Sequence, residues 1–293
     1  MAGKNLKLLI PQHGLFPSFV IKGDPFEEFT RLEEIDSGAF GTVFSATSYD
    51  GKCVAVKVVC TCGSHTDRFK KAMQEATIAI SMKHPHIVST KKIWYDGANV
   101  YIMMELLSPF STSSFHDHSL KTKIEMILQL ASALTYMHSN GVLHMDIKPQ
   151  NIGMRADGTE LCLLDFGESR LVGQPFTTNC GTVLFWGPEK LKQAGYFKAS
   201  DVWAFGCLLS ELLTGKSLIL SLFEPTVQIT RSNVEDEIRS LKEPPIPEVF
   251  KTDKSPSGLL LLQIFRGCLA IDPAERLTFP ELGAFLQELI ALL

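Results

Sequence analysis

The spacing of apolar residues changes partway along this 293-residue chain, and that change limits the fold more than any other feature. Up to about residue 105, apolar and β-branched residues fall in short blocks, which predicts strands over Arg31–Ile35, Thr42–Thr47, Cys53–Val59, Ile87–Tyr95 and Val100–Glu105. Asp50-Gly51 and Asp96-Gly97 are the turn signals between them. One helix interrupts the series at Asp67–Lys83, where Phe69, Met73, Ala76 and Ile80 recur at three- or four-residue steps, and His84-Pro85 ends it. Beyond residue 110 the helical period takes over at Lys121–Ser139, Ser200–Thr214, Leu259–Leu269 and Pro280–Leu293. The expectation is an α+β chain in two lobes: an N-terminal antiparallel sheet with one helix, then a mostly helical C-terminal lobe. The hinge falls near Leu106–Ser108, and the crevice between such lobes is a natural ligand site. Residues 1–29, broken by Pro11, Pro17 and Pro25, read as an irregular extension.

Charge and composition narrow the function classes. A net charge of −4, from 28 basic and 32 acidic residues without a basic run, argues against nucleic acid or an anionic membrane surface as partner. No apolar run approaches the ~18 residues of a membrane helix, and the opening Met-Ala-Gly lacks the second-position glycine of a myristoylation signal. The seven cysteines are odd in number and follow no framework, as expected of reduced thiols in a cytoplasmic or nuclear protein. Cys60, Cys62 and His65 lack the second ligand pair of a zinc finger. A monomer is expected.

Five signals then follow one another. Ser37-Gly38-Ala39-Phe40-Gly41-Thr42-Val43 is a glycine turn that can lie close over a polyphosphate, although Gly38 and Gly41 alone also suit a plain hairpin. Val54-Ala55-Val56-Lys57 ends an apolar strand on a candidate phosphate clamp, and Glu75 on the helix can hold that lysine. His144-Met145-Asp146-Ile147-Lys148-Pro149-Gln150-Asn151 gathers an Asp to take the proton of an attacking hydroxyl, a Lys to neutralise a phosphoryl group and an Asn to bind a metal. Asp165-Phe166-Gly167 places a Mg²⁺ ligand at a strand end. Gly187-Pro188-Glu189, Asp201 and Arg276 form the fifth signal, a structural one, with Glu189 and Arg276 as a possible buried pair.

Taken together, these motifs resemble the eukaryotic protein kinase family, serine/threonine type. The resemblance implies a bilobal kinase domain over 30–290, with an N-lobe of 30–105, a hinge of 106–108 and a C-lobe of 109–290. It also implies ATP and Mg²⁺ as cofactors and proteins as substrates. Lys57 would hold the α- and β-phosphates and pair with Glu75; Asp146 would orient and deprotonate the hydroxyl, aided by Lys148; Asn151 and Asp165 would hold Mg²⁺. Gly38 and Gly41 would let the loop cover ATP. Ile35, Val43 and Ala55 would line the adenine site, Met104 would be the gatekeeper, and Glu105 through Leu107 would supply backbone hydrogen bonds to adenine. Lys148 and Gly181-Thr182 match the form that phosphorylates serine and threonine.

The sequence also departs from the family pattern. Asp36 replaces the first loop glycine, and Met145 replaces the arginine that binds a phosphorylated activation loop. The second change predicts little dependence on loop phosphorylation, although Thr177 and Thr178 are available. Gly153, Ala79 and Thr90 stand where larger apolar residues are usual, which predicts cavities and a looser active state. Two other readings therefore stay open: a pseudokinase scaffold with weak or no catalysis, and a kinase acting on small molecules.

Overall fold

A computed structural model of the protein describes residues 17–38, 41–62, 66–174, 180–192 and 197–293. Thr177 and Thr178, the tip residues Ala39 and Phe40 of the glycine turn, and His65 lie outside the described residues. The N-terminal lobe is built from strands β1 (Val20–Lys22), β2 (Phe29–Gly38), β3 (Gly41–Ser48) and β4 (Cys53–Cys60), helix α1 (Thr66–Ser81), and strands β5 (Thr90–Tyr95) and β6 (Asn99–Glu105). Its sheet has the order β1-β5-β6-β4-β3-β2, and every neighbouring pair is antiparallel except β1 with β5.

Strand periodicity decides what each face of this sheet carries. On β4, Val54, Val56 and Val58 join Phe29, Ala46, Trp94 and Tyr101 in a small outer core. Alternate residues face the other way. Ala55 and Lys57 therefore point toward the side that α1 covers with Ala72, Met73, Ala76 and Ala79. A lysine in the middle of an apolar strand thus reaches the interior because the period is two.

The irregular reading of residues 1–29 is corrected over its described part. Val20–Lys22 pairs in parallel with Ile93–Tyr95 along the sheet's edge. Asp24 Oδ1 then accepts the Phe26 N–H at 2.8 Å, capping a 3₁₀ turn over Pro25–Glu28. The turn seats the Phe26 ring edge-on to Phe44 and Tyr101, at centroid distances of 5.6 and 5.5 Å. A three-residue strand is too short to show alternation, and its partner lies some seventy residues away, so nothing local could signal it. The strand expected from Ile87 begins only at Thr90. Ile87 makes an isolated bridge to Leu163 instead, and Val88 N–H donates to Leu163 O at 3.0 Å.

After Leu106–Leu107 come β7 (Ser108–Pro109), α2 (Thr112–His116), α3 (Leu120–Ser139), β8 (Val142–Leu143), β9 (Ile152–Met154), β10 (Leu161–Leu163) and β11 (Arg170–Leu171). Helices α4 (Pro188–Leu191), α5 (Lys198–Thr214), α6 (Arg231–Ser240), α7 (Glu248–Thr252), α8 (Pro256–Cys268) and α9 (Phe279–Leu292) complete the lobe. Ser119, Ser255 and Thr278 cap α3, α8 and α9 by accepting the backbone N–H three residues on. Helix α5 is buried along nearly its whole length, Ser200 to Ser210 without a break, so it forms the post around which α3, α8 and α9 pack. The architecture is the expected α+β bilobal one, with short two- and three-stranded ribbons lining the C-terminal side of the cleft. Among the described residues, no helix is long and apolar enough to cross a membrane.

Candidate active site

Two hydrogen-bonded clusters gather most of the expected charged residues. The upper one centres on Lys57. Its Nζ lies 2.6 Å from Glu75 Oε1 on α1 and 2.7 Å from Asp165 Oδ1, which follows β10. Burial disfavours the lysine's charge, but the two carboxylates outweigh it and hold its pKa above the ordinary value. Burial likewise opposes charge on Asp165, yet Lys57 keeps that carboxyl below its usual range. Glu75 moves the other way: burial pushes it up to about 7, against the pull of Lys57 and with the help of Asp165. One ammonium faces two carboxylates, and the more deeply buried of them bears the cost.

The lower cluster forms around Asp146. The buried Asp201 carboxylate at the start of α5 accepts the N–H groups of His144 and Met145, each at 2.9 Å, while His138 Nε2 lies 2.8 Å from it. These bonds hold Met145 at φ 70°, a conformation that a non-glycine residue keeps only when its surroundings enforce it. The loop so shaped presents Asp146 to four donors. Thr182 N and Oγ1 each lie 2.9 Å from Oδ1; Lys148 Nζ lies 2.7 Å and Asn151 Nδ2 3.0 Å from Oδ2. Lys148 also donates to Thr182 Oγ1 at 3.0 Å. Gly181 makes this approach possible: its φ is +75°, and a Cβ there would lie 2.5 Å from Met145 O.

Oxygens from both clusters suit a divalent cation. Asn151 Nδ2 also donates to Asp146 O at 2.7 Å, so both of its bonds go to acceptors. That settles which end of the amide is nitrogen and leaves Oδ1 as an oxygen ligand. Asp165 Oδ1 takes Lys57 and the Gly167 N–H, the latter at 3.0 Å, which leaves Oδ2 for a metal. Oxygen ligands of this kind fit Mg²⁺.

Most of the other expected positions lie along the N-terminal sheet. Gly38 and Gly41 pair where β2 and β3 meet. At Gly41 the φ is +127°, and a Cβ would lie 2.3 Å from Val58 O, so only glycine fits. Val43 pairs with Lys57, Ala55 with Met104, and Met104 with Thr90, so the gatekeeper position sits in the middle of the sheet. Ile35 is exposed on β2. Asp36 Oδ1 accepts its neighbour's N–H, that of Ser37, at 2.9 Å.

Glu105 has a role that its place in the sequence did not reveal. Its Oε1 accepts the Ser89 N–H at 2.7 Å and Arg155 Nη2 at 3.1 Å, and Arg155 also donates to Pro85 O at 2.7 Å. The side chain is therefore a strut between the lobes behind the hinge. Lys190 was missed as well. Although almost fully buried, it donates to the Cys180 carbonyl and lies 3.9 Å over the Trp186 ring. Burial pushes its pKa down to about 8, against the pull of Cys180, Glu168 and Asp146.

The cavity expected at Gly153 is absent, because the Leu107 and Leu164 side chains fill that space. A Cβ on Gly153 would lie 2.9 Å from Leu107 Cδ1 and 3.2 Å from Leu164 Cδ1. Gly153→Leu is therefore expected to destabilise the fold by about 1–3 kcal/mol through overpacking, read as a lower urea midpoint at unchanged slope. An unchanged or higher midpoint would show the space to be open. Ala79 and Thr90 are both buried, and Thr90 Oγ1 has no hydrogen-bond partner among the described residues.

Comparison with known proteins agrees with this geometry. The family model described as the protein kinase domain matches residues 29–285, and the chain belongs to that family. It is 34% identical to cyclin-dependent kinase G1 of Arabidopsis thaliana over 218 residues, which cover 65% of this chain and 34% of that protein. It is 28% identical to mouse cyclin-dependent kinase-like 4, covering 87% of this chain and 82% of that one. Identity to human serine/threonine-protein kinase ULK3 is also 28%, with 87% of this chain and 54% of that one covered. The chain thus spans about a third of the first of these relatives and about half of the last.

Proposed function

We propose that this chain transfers the γ-phosphoryl group of ATP to serine or threonine hydroxyls of proteins, with little dependence on phosphorylation of its own activation segment. The observation that carries the reading is the pair of assembled clusters, Lys57–Glu75–Asp165 above and Asp146–Lys148–Asn151–Thr182 below. Asp146, an acceptor surrounded by donors, orients the incoming hydroxyl and takes its proton. Lys148, held between Asp146 and Thr182, places positive charge where the transferred group gains negative charge. Lys57, fixed by two carboxylates, is aimed at the phosphates of ATP. Asp165 and Asn151 would hold Mg²⁺, which would supply further neutralisation of phosphate oxygens. Reactant positioning by these rigid groups accounts for most of the expected catalysis.

Independence from loop phosphorylation is supported by Met145. Its side chain is buried in an apolar cluster with Leu143 and Cys180, where a loop phosphate would find no cation from this position. The Lys57–Glu75 pair is already closed at 2.6 Å.

The test is transfer from γ-labelled ATP to a general protein substrate, for enzyme with and without phosphatase treatment, beside Lys57→Met. The expected result is label on serine or threonine, unchanged by the phosphatase and reduced ~100-fold in the variant. Wild-type transfer no greater than that of Lys57→Met would leave a scaffold instead of an enzyme. Loss of transfer on phosphatase treatment would overturn the independence alone.

A further inference from the structure

Glu168, the residue after Asp165-Phe166-Gly167, takes no part in the chemistry above, yet it is a carboxylate only 6% exposed. Its Oε1 lies 2.9 Å from Lys71 Nζ on α1. Its Oε2 is buried without a hydrogen bond among the described residues, 4.0 Å from Arg170 Nη2. One residue on, Ser169 O accepts Gln74 Nε2, also from α1, at 3.0 Å. Lys71, Gln74 and Glu75 are spaced i, i+3 and i+4, so they share one face of the helix. That face gives Glu75 to Lys57 and gives Lys71 and Gln74 to the segment after Gly167.

We infer that Glu168 is a positioning residue, which holds α1 in the orientation where Glu75 reaches Lys57. This inference rests on the kinase reading above. A buried carboxylate is costly without its counter-charge. Helix α1 therefore cannot swing away from the cleft without taking from Glu168 its 2.9 Å partner, leaving only Arg170 at 4.0 Å, and without taking Gln74 from Ser169 O. Lys71 is the partner that can move, since its side chain is 41% exposed. The tie uses a carboxylate of the chain itself, and it joins the segment carrying Asp165 to the helix carrying Glu75.

The test combines steady-state kinetics with amide exchange on Glu168→Gln, Lys71→Met and the double variant of the full chain. Each single variant is expected to lower kcat about tenfold, a size usual for coupling between two sites. The KM for peptide should stay within about twofold, since the peptide contacts are untouched. The double variant should be no worse than the more impaired single one, because both remove the same tie. Amide exchange across residues 66–81 should be faster in each variant. Wild-type kcat in both single variants, losses that add in the double variant, or unchanged exchange in α1 would each overturn the inference. Exchange reads the tie even in an enzyme without turnover. A wild type that transfers no phosphate but shows faster α1 exchange in the variants would therefore sink the kinase reading and leave the tie standing.

Discussion

Asp146→Asn is expected to lower kcat for phosphoryl transfer by about 10³-fold, in the range of a lost general base, while ATP binding in calorimetry stays within about twofold. The carboxylate is an acceptor on every side: Thr182 N and Oγ1 donate to one oxygen, Lys148 and Asn151 to the other. An asparagine cannot take the substrate's proton, and it must also turn an NH₂ toward one of these donors. A modest loss of stability, about 1–2 kcal/mol, should accompany the kinetic effect. Lys57, Glu75 and Asp165 lie in the other cluster and keep their distances, which is why nucleotide affinity should survive. A kcat within tenfold of wild type would remove Asp146 from the role of base.

Arg276→Met is expected to cost about 3–5 kcal/mol of stability, the penalty of leaving a buried charge without its partner. Arg276 Nη1 and Nη2 each lie 2.8 Å from one oxygen of Glu189, with side-chain exposures of 0% and 3%. Ser200 Oγ donates to the same carboxylate at 2.6 Å, so one ion pair ties the end of the activation segment to the start of α5 and to the loop before α9. Burial alone would raise the pKa of Glu189; Arg276 outweighs it and holds the carboxyl below its ordinary 4.5. With the folded pKa depressed, the folded state binds this proton less readily than the unfolded chain. The pair's contribution is therefore present above pH 4.5 and is lost as the pH falls through the lower folded value. The urea midpoint of the wild type should drop in that acid window, and the gap to Arg276→Met should narrow. A gap that stays constant with pH would mean that the arginine acts by packing alone.

Much of the molecule is legible in the amino-acid sequence. Period two in Val54–Val58 and the three- to four-residue steps from Phe69 to Ile80 are local consequences of strand and helix geometry, so they survive in the sequence. The chemical motifs were legible for a similar reason. Glycine at 41 and 181 is required by a backbone conformation and a close approach, and those requirements write the residue type directly into the chain. The order of Lys57, Glu75, Asp146, Asn151 and Asp165 was enough to name the family.

Tertiary structure decided the remainder. The edge strand Val20–Lys22 exists because β5 needs a partner, and the space at Gly153 is closed by Leu107 and Leu164, which no count of side-chain sizes along the chain could reveal. The Glu105–Arg155 strut, the Lys190 bond to Cys180 O and the Lys71–Glu168 tie join elements 50, 10 and 97 residues apart. The sequence by itself determined which elements form and which groups are chemically able to act. The tertiary structure alone decided which charges are paired, because the cost of burying a charge depends on what surrounds it in space and not on its neighbours along the chain.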